Sequence, residues 1–194
     1  MQKDFVDKHS PTTANETDNI QPDVTSIHRI FCGGRFYFDA RDQGFKAMAA
    51  HDYRAELLGS VDALLRPKDT DCVRLSSNVV YVGPFYFETN EMKAEDIILR
   101  EMQMIESCSD AIFLLDDAAC PGTITEIMIA NNLRKKIHLF HVWHGEDDET
   151  ESHLHTPCWY PILFCQLTNR HAHLHSCSNF EEAKHEIEKL VKSF

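Results

Sequence analysis

Short unbroken apolar runs alternate with stretches of helical periodicity from residue 27 to residue 143, and few folds accept that alternation. The runs are IHRIFCGGRFYF (27–38), NVVYVGPFYF (78–87), AIFLL (111–115) and the segment 136–143. Between them lie a stripe of Leu57, Leu58, Val61, Leu64 and Leu65 over 52–65, a stripe of Ile97, Ile98, Met102, Ile105 and Cys108 over 91–108, and a third helical segment over 123–133. The final 16 residues close the chain with an amphipathic pattern of Phe180, Ala183, Ile187 and Leu190. A strand that is apolar throughout is buried on both faces, so these runs predict a parallel sheet covered by helices on both sides. The expected fold is therefore α/β, with three layers. In such sheets ligands bind outside the carboxyl ends of the strands. The loops after Phe31, Val82, Leu115 and Phe140 are the ones to inspect.

Residues 1–26 are polar, with scattered apolar side chains, and read as a flexible tail too poor in apolar surface to offset its ordering entropy. Residues 27–194 then form one domain. The 31 acids outnumber the 19 Lys and Arg, giving a formal charge of −12. This balance argues against nucleic acid, whose phosphates need clustered cations, and against a polybasic membrane-surface protein. Seven cysteines without a CxxC pair sit mostly in apolar runs, as small buried hydrophobes do. With no apolar signal segment and no run near the ~20 residues of a membrane span, a reducing, cytoplasmic setting is expected. A small molecule is the easiest partner to reconcile with this composition.

Three features resist explanation by packing alone. Glu126 stands one turn into the helix that follows AIFLL, at the sheet edge where substrates sit. Thr123-x-x-Glu126 also fits a capping box, in which the glutamate only satisfies a backbone amide. The functional alternative is a nucleophile or general base, held ionised by the helix dipole. Glu101 falls between Ile98 and Ile105 on the inward stripe, where a carboxylate is costly unless paired. It either reaches solvent or an Arg from the stripe's border, or it binds a ligand. Asp116 and Asp117 directly follow a buried strand, and suit either a turn or contact with hydroxyls and a base. Gly33-Gly34-Arg35 permits close backbone approach to a ligand, but it is neither GxGxxG nor a Walker loop. His171, His173 and His175 alternate, as do His153 and His155. On a strand the first three would share a face, yet no accompanying carboxylate or thiolate completes a zinc set, and no metal or cofactor is expected. The acidic segment 145–151 (GEDDETE) reads as a solvated loop.

At these residues the chain resembles the nucleoside 2-deoxyribosyltransferase family, which includes nucleotide N-glycosidases that hydrolyse the same bond. The resemblance spans roughly 27–143. It is densest in EMQMIESCSDAIFLLDDAACPGTITEIMIANNLRKK (101–136), and the opening strand IFCGGRF adds to it. It implies a flavodoxin-like (Rossmann-like) domain with Glu126 as a carboxylate nucleophile that takes the 2-deoxyribosyl group from one base and gives it to another. By the same resemblance Glu101 binds the sugar, Gly122 and Thr123 line the sugar site, and Phe31, Gly33, Gly34 and Arg35 belong to the substrate-binding opening strand and turn. The family's acid six residues before the glutamate is Cys120 here, so protonation of the leaving base passes to Asp116 or Asp117. The implied partners are a 2-deoxynucleoside and a free nucleobase, and by analogy a second copy of the chain. Two alternatives stand beside transfer. One is an N-glycosidase acting on 2-deoxynucleosides or their 5′-monophosphates. The other is a non-catalytic nucleotide-sensing module in which Glu126 is only a capping residue.

Overall fold

The computed structural model describes residues 26–34, 44–65, 72–86, 93–115, 121–142 and 159–194. The expected tail, Arg35, Asp116, Asp117, Cys120, His153, His155 and the acidic segment 145–151 lie outside them. The apolar runs become β1 (His28–Gly34), β3 (Val79–Gly83), β4 (Asp110–Leu115) and β5 (Lys136–Val142), joined by the short β2 (Val73–Arg74) and by β6 (Ala172–Cys177). Together they make a six-stranded sheet in the order β2-β3-β1-β4-β5-β6, in which only β2 is antiparallel. Setting β2 aside, the parallel strands run second, first, third, fourth, fifth, which is the flavodoxin-like order. Burial follows from this position: every residue of β3 and β4 is buried, as are the last six of β5.

Helices cover both faces. On one side α1 (Phe45–Ala50), α2 (Tyr53–Leu57), α3 (Val61–Leu64) and α7 (Phe180–Ser193) pack over Ile30, Cys32, Ile112, Leu114 and Phe140. On the other α4 (Ala94–Ser107), α5 (Pro121–Asn132) and α6 (Trp159–Thr168) pack over Phe31, Ala111, Phe113, Ile137 and Leu139. The odd and even residues of each strand divide between the two cores, as the period of two requires.

Two expectations about helices need correction. The segment 52–65 is not one helix, because Gly59 takes a positive φ of 67° and Ser60 then caps α3 by accepting the Ala63 amide at 3.3 Å. The inward stripe of α4 is also rotated. Ile98 and Met102, expected inside, are 57% and 42% exposed, while Ile105 and Cys108 are buried and Glu101 and Met104 half-buried beside them. The rotation carries the carboxylate toward the sheet rather than the two larger apolar side chains.

Candidate active site

The connections after β1 and after β4 diverge. The chain leaves β1 for β3 on one side and leaves β4 for β5 on the other, so the carboxyl ends of this central pair are the switch point at which such sheets bind ligands. Gly33 and Gly34 end β1 opposite Phe113 and Leu114 of β4. Both glycines are required by close approach. A Cβ on Gly33 would stand 2.4 Å from the Phe113 ring and 2.8 Å from Glu126 Oε2, and one on Gly34 would stand 3.1 Å from the Leu114 carbonyl oxygen. Glu126 therefore lays its carboxylate directly against the backbone of the β1 turn.

Its placement overturns the capping-box expectation. The first residue of α5 is Pro121, a position where the missing N–H costs nothing. Thr123 is thus the third helical residue and Glu126 the sixth, beyond the unpaired amides of the first turn. Thr123 is buried on the same side of α5, three residues before Glu126, while Gly122 is exposed at the helix start. Glu126 is 8% exposed, and among the described residues none donates a hydrogen bond to its carboxylate. Burial pushes its pKa up to about 8, the Glu101 carboxylate adds to the rise, and the Arg54 guanidinium opposes it. The helix dipole does not hold this group ionised, because that influence fades within the first turn. Burial raises the Glu101 carboxyl as well, again with Arg54 in opposition. Two carboxyl groups from α4 and α5 thus face one site, a pairing that disfavours ionising both.

The structure brings together Gly33, Gly34, Glu101, Thr123 and Glu126 of the residues singled out by sequence. Phe31 is different: it is fully buried two residues below the turn, its ring tilted against Phe113 at a centroid distance of 6.1 Å. It shapes the floor from within the core and offers no surface to a ligand.

Sequence reasoning passed over the first turn of α2. Arg54 is fully buried, and its Nε donates to Asp52 Oδ1 at 2.7 Å, its Nη2 to Asp52 Oδ2, and its Nη1 to the Cys32 carbonyl at 3.3 Å. Asp52 also caps α2 by accepting the Arg54 amide at 2.9 Å, and it accepts the Tyr86 hydroxyl at 2.9 Å. The Tyr53 hydroxyl donates to the Gly33 carbonyl at 2.9 Å. Nothing in the spacing separates Arg54 from a surface arginine on a helix; only its tertiary position does. His141 is a second omission. It is buried opposite Leu115 at the carboxyl end of β5, on the face that carries Leu139 and Glu126's helix.

Of the alternating histidines, His173 and His175 share a face of β6 beside His138 on β5, while His171 lies in the turn before that strand. Their rings stack, His138 on His173 at 5.2 Å and His175 on Phe140 at 4.2 Å, and among the described residues no three His, Cys, Asp or Glu side chains are arranged to hold a metal ion. They lie on the sheet face opposite Glu126.

No protein-family model matches the chain, and no curated protein does. Solved structures similar to it include a CMP N-glycosidase, BcmB, from Clostridium botulinum, at 15% identity and TM-score 0.45 over 84% of this chain and 98% of that one. A 2-deoxyribosyltransferase from Leishmania mexicana matches at 21% identity and TM-score 0.37 over 60% of this chain and 66% of that one. A probable GTP-binding protein, engB, matches at 12% identity and TM-score 0.42 over 86% and 99%.

Proposed function

We propose that the chain is an enzyme of N-glycosidic bonds that moves the 2-deoxyribosyl group of a 2-deoxynucleoside to a second nucleobase, with Glu126 as nucleophile. The observation that carries this reading is the Glu126 carboxylate itself, buried at the carboxyl ends of β1 and β4, set against Gly33, and free of hydrogen bonds from described residues. A carboxylate kept for structure would be capped or paired. Glu126 is neither. The motif resemblance over 101–136 points to the same residue.

In the first step a carboxylate oxygen of Glu126 attacks the anomeric carbon. The C–N bond breaks, its electron pair leaves with the base, and an acid protonates that base. Asp116 or Asp117, following β4, is the proposed donor. Glu101 holds the sugar, Gly122 and Thr123 line its site at the start of α5 and orient the 5′ end, and Gly33, Gly34 and Arg35 are further substrate-binding residues. In the second step a ring nitrogen of the incoming base attacks the same carbon, the ester bond to Glu126 breaks, and the new base gives up its proton. Splitting one difficult displacement into two through a carboxylate ester is the logic of retaining glycosidases. Water in place of the second base would make the same site a hydrolase.

Because the nucleophile must be ionised, kcat/KM is expected to rise with pH up to about 8, to which burial pushes the Glu126 carboxyl. Incubation with thymidine, alone and with adenine, tests the reading. Deoxyadenosine formed only with adenine marks transfer, and thymine with free deoxyribose in its absence marks hydrolysis. A 2-fluoro-arabinosyl nucleoside should leave a mass adduct on Glu126. No turnover on any deoxynucleoside or monophosphate, or full activity in Glu126→Ala, overturns the proposal and leaves the sensing module.

A further inference from the structure

We propose that Tyr53 and Arg54 are positioning residues: they grip the consecutive carbonyls of Cys32 and Gly33 near the end of β1 and so fix the Glu126 carboxylate resting on that turn. The proposal builds on the reading of Glu126 as nucleophile.

The contacts form an unbroken chain. Pairing of β1 with β3 ends at Phe31 opposite Gly83, so beyond it only β4 holds the strand from the sheet. From there α2 supplies donors of its own, Arg54 Nη1 to the Cys32 carbonyl at 3.3 Å and the Tyr53 hydroxyl to the Gly33 carbonyl at 2.9 Å. Gly33 is the residue on which Glu126 Oε2 lies, at 2.8 Å from where a Cβ would be. A shift of the turn is therefore a shift of the nucleophile.

Arg54 is itself locked. Asp52 takes it in a two-point fork while capping α2, and Tyr86 holds the far oxygen of Asp52. A buried ion pair is a poor source of stability, since a packed apolar pair of the same volume generally does as well. Its cost is explained if the charge has work to do at the site. Among the described residues Glu126 feels Glu101 from α4 and Arg54 from α2, and its charge in turn raises the Tyr53 phenol; Asp52 stands behind Arg54. Arg54 is the cation of this set, and among the described residues it is the influence that opposes burial at both carboxyl groups. The fork leaves the guanidinium unable to swing out and pair with Glu126, so it favours ionisation without capping the nucleophile. A direct Arg–Glu126 pair would tie up the oxygens that must attack.

Two variants of the full chain test this. Tyr53→Phe keeps the ring and removes one donor, while Asp52→Asn/Arg54→Met removes the fork without leaving a buried charge alone. Carboxyl 13C signals of Glu-labelled protein report the Glu126 titration, assigned as the signal missing from Glu126→Gln. Tyr53→Phe is expected to lower kcat by about tenfold with KM changed less than about threefold, because misplacement of a nucleophile is felt in the transition state. The double variant is expected to move the Glu126 midpoint to higher pH, together with the acid limb of kcat/KM. A simple packing role predicts lower melting temperatures with kcat and the midpoint unmoved, and that result would falsify the inference. If the double variant does not fold, the kcat-against-KM split of Tyr53→Phe decides alone. The underlying assignment fails separately: full activity in Glu126→Ala removes the nucleophile, whether or not the 13C midpoint responds to Arg54.

Discussion

At the scale of single residues, the site depends on one missing Cβ. Gly33 is crowded from two directions, by a core ring that has nowhere to go and by the carboxylate that the proposed chemistry uses. Gly33→Ala should therefore destabilise the protein by about 1–3 kcal/mol, the usual cost of forcing an extra carbon into a packed site. Activity should fall further than the lost folded fraction accounts for. Denaturant melts beside steady-state kinetics check both; an alanine variant with normal turnover would mean that the turn and Glu126 move independently. Glu101 is the complementary case. Its carboxylate raises the Glu126 pKa, so Glu101→Gln should shift the Glu126 titration to lower pH and let the first ionisation occur earlier. An unchanged midpoint by 13C NMR would show that the two carboxyl groups are not electrostatically coupled.

Elements were legible in the sequence where one period dominated a long enough segment. The central strands carry mostly apolar side chains because both faces are covered, and α7 shows its stripe plainly because one side is buried on Ala183, Ile187 and Val191. Edges and short pieces were harder. The strand β6 (AHLHSC) is half exposed at the sheet edge, so its histidines and serine give no continuous apolar run. The helix α6 carries WYPILFCQLT, apolar nearly all round with a proline near its start, and matches no single period. Glu101 was legible because an acid interrupts a stripe, whereas Arg54 was not because an arginine at a helix start is ordinary until its surroundings are known. Helix ends carry their own test. Asn179 caps α7 by accepting the Glu182 amide at 2.9 Å, and Glu182 returns the favour to the Ser178 amide at 2.7 Å. Asn179→Ala should cost about 1 kcal/mol in a thermal melt. A neutral result would show that packing of Ala183 and Ile187 alone holds that terminus.

For the whole molecule, two sites on opposite faces of the sheet pull its stability in opposite directions with pH. The Glu126 carboxyl titrates near 8 when folded and near 4.5 as an unperturbed group, so between those values the native state holds a proton that the unfolded chain has lost. Its contribution is full below about pH 4.5 and is lost as pH rises through about 8, with a slope of at most roughly 1.4 kcal/mol per pH unit. Glu101, raised in the same sense, adds to that decline. His138 behaves inversely: burial first, then Lys136 and the neighbouring imidazoles, push it down from 6.5 to about 4, and His175 is lowered too. Below about pH 6.5 the unfolded chain binds protons that these rings refuse, so stability is lost as pH falls. Between about 4.5 and 6.5 the two effects oppose each other and the profile is nearly level. Above 6.5 the histidines are neutral in both states, leaving the carboxyls to act alone. Stability is therefore expected to decline from about pH 6.5 to 8, within the range where kcat/KM is rising. Urea melts at half-unit intervals check the shape. Glu126→Gln should weaken the decline and steepen the acid side, while His138→Phe should turn the level stretch into a continuation of the decline, beginning at about pH 4.5. An undiminished decline in Glu126→Gln would mean that the Glu126 carboxyl is already ionised at neutral pH, and the acid limb of kcat/KM would then lie well below 8.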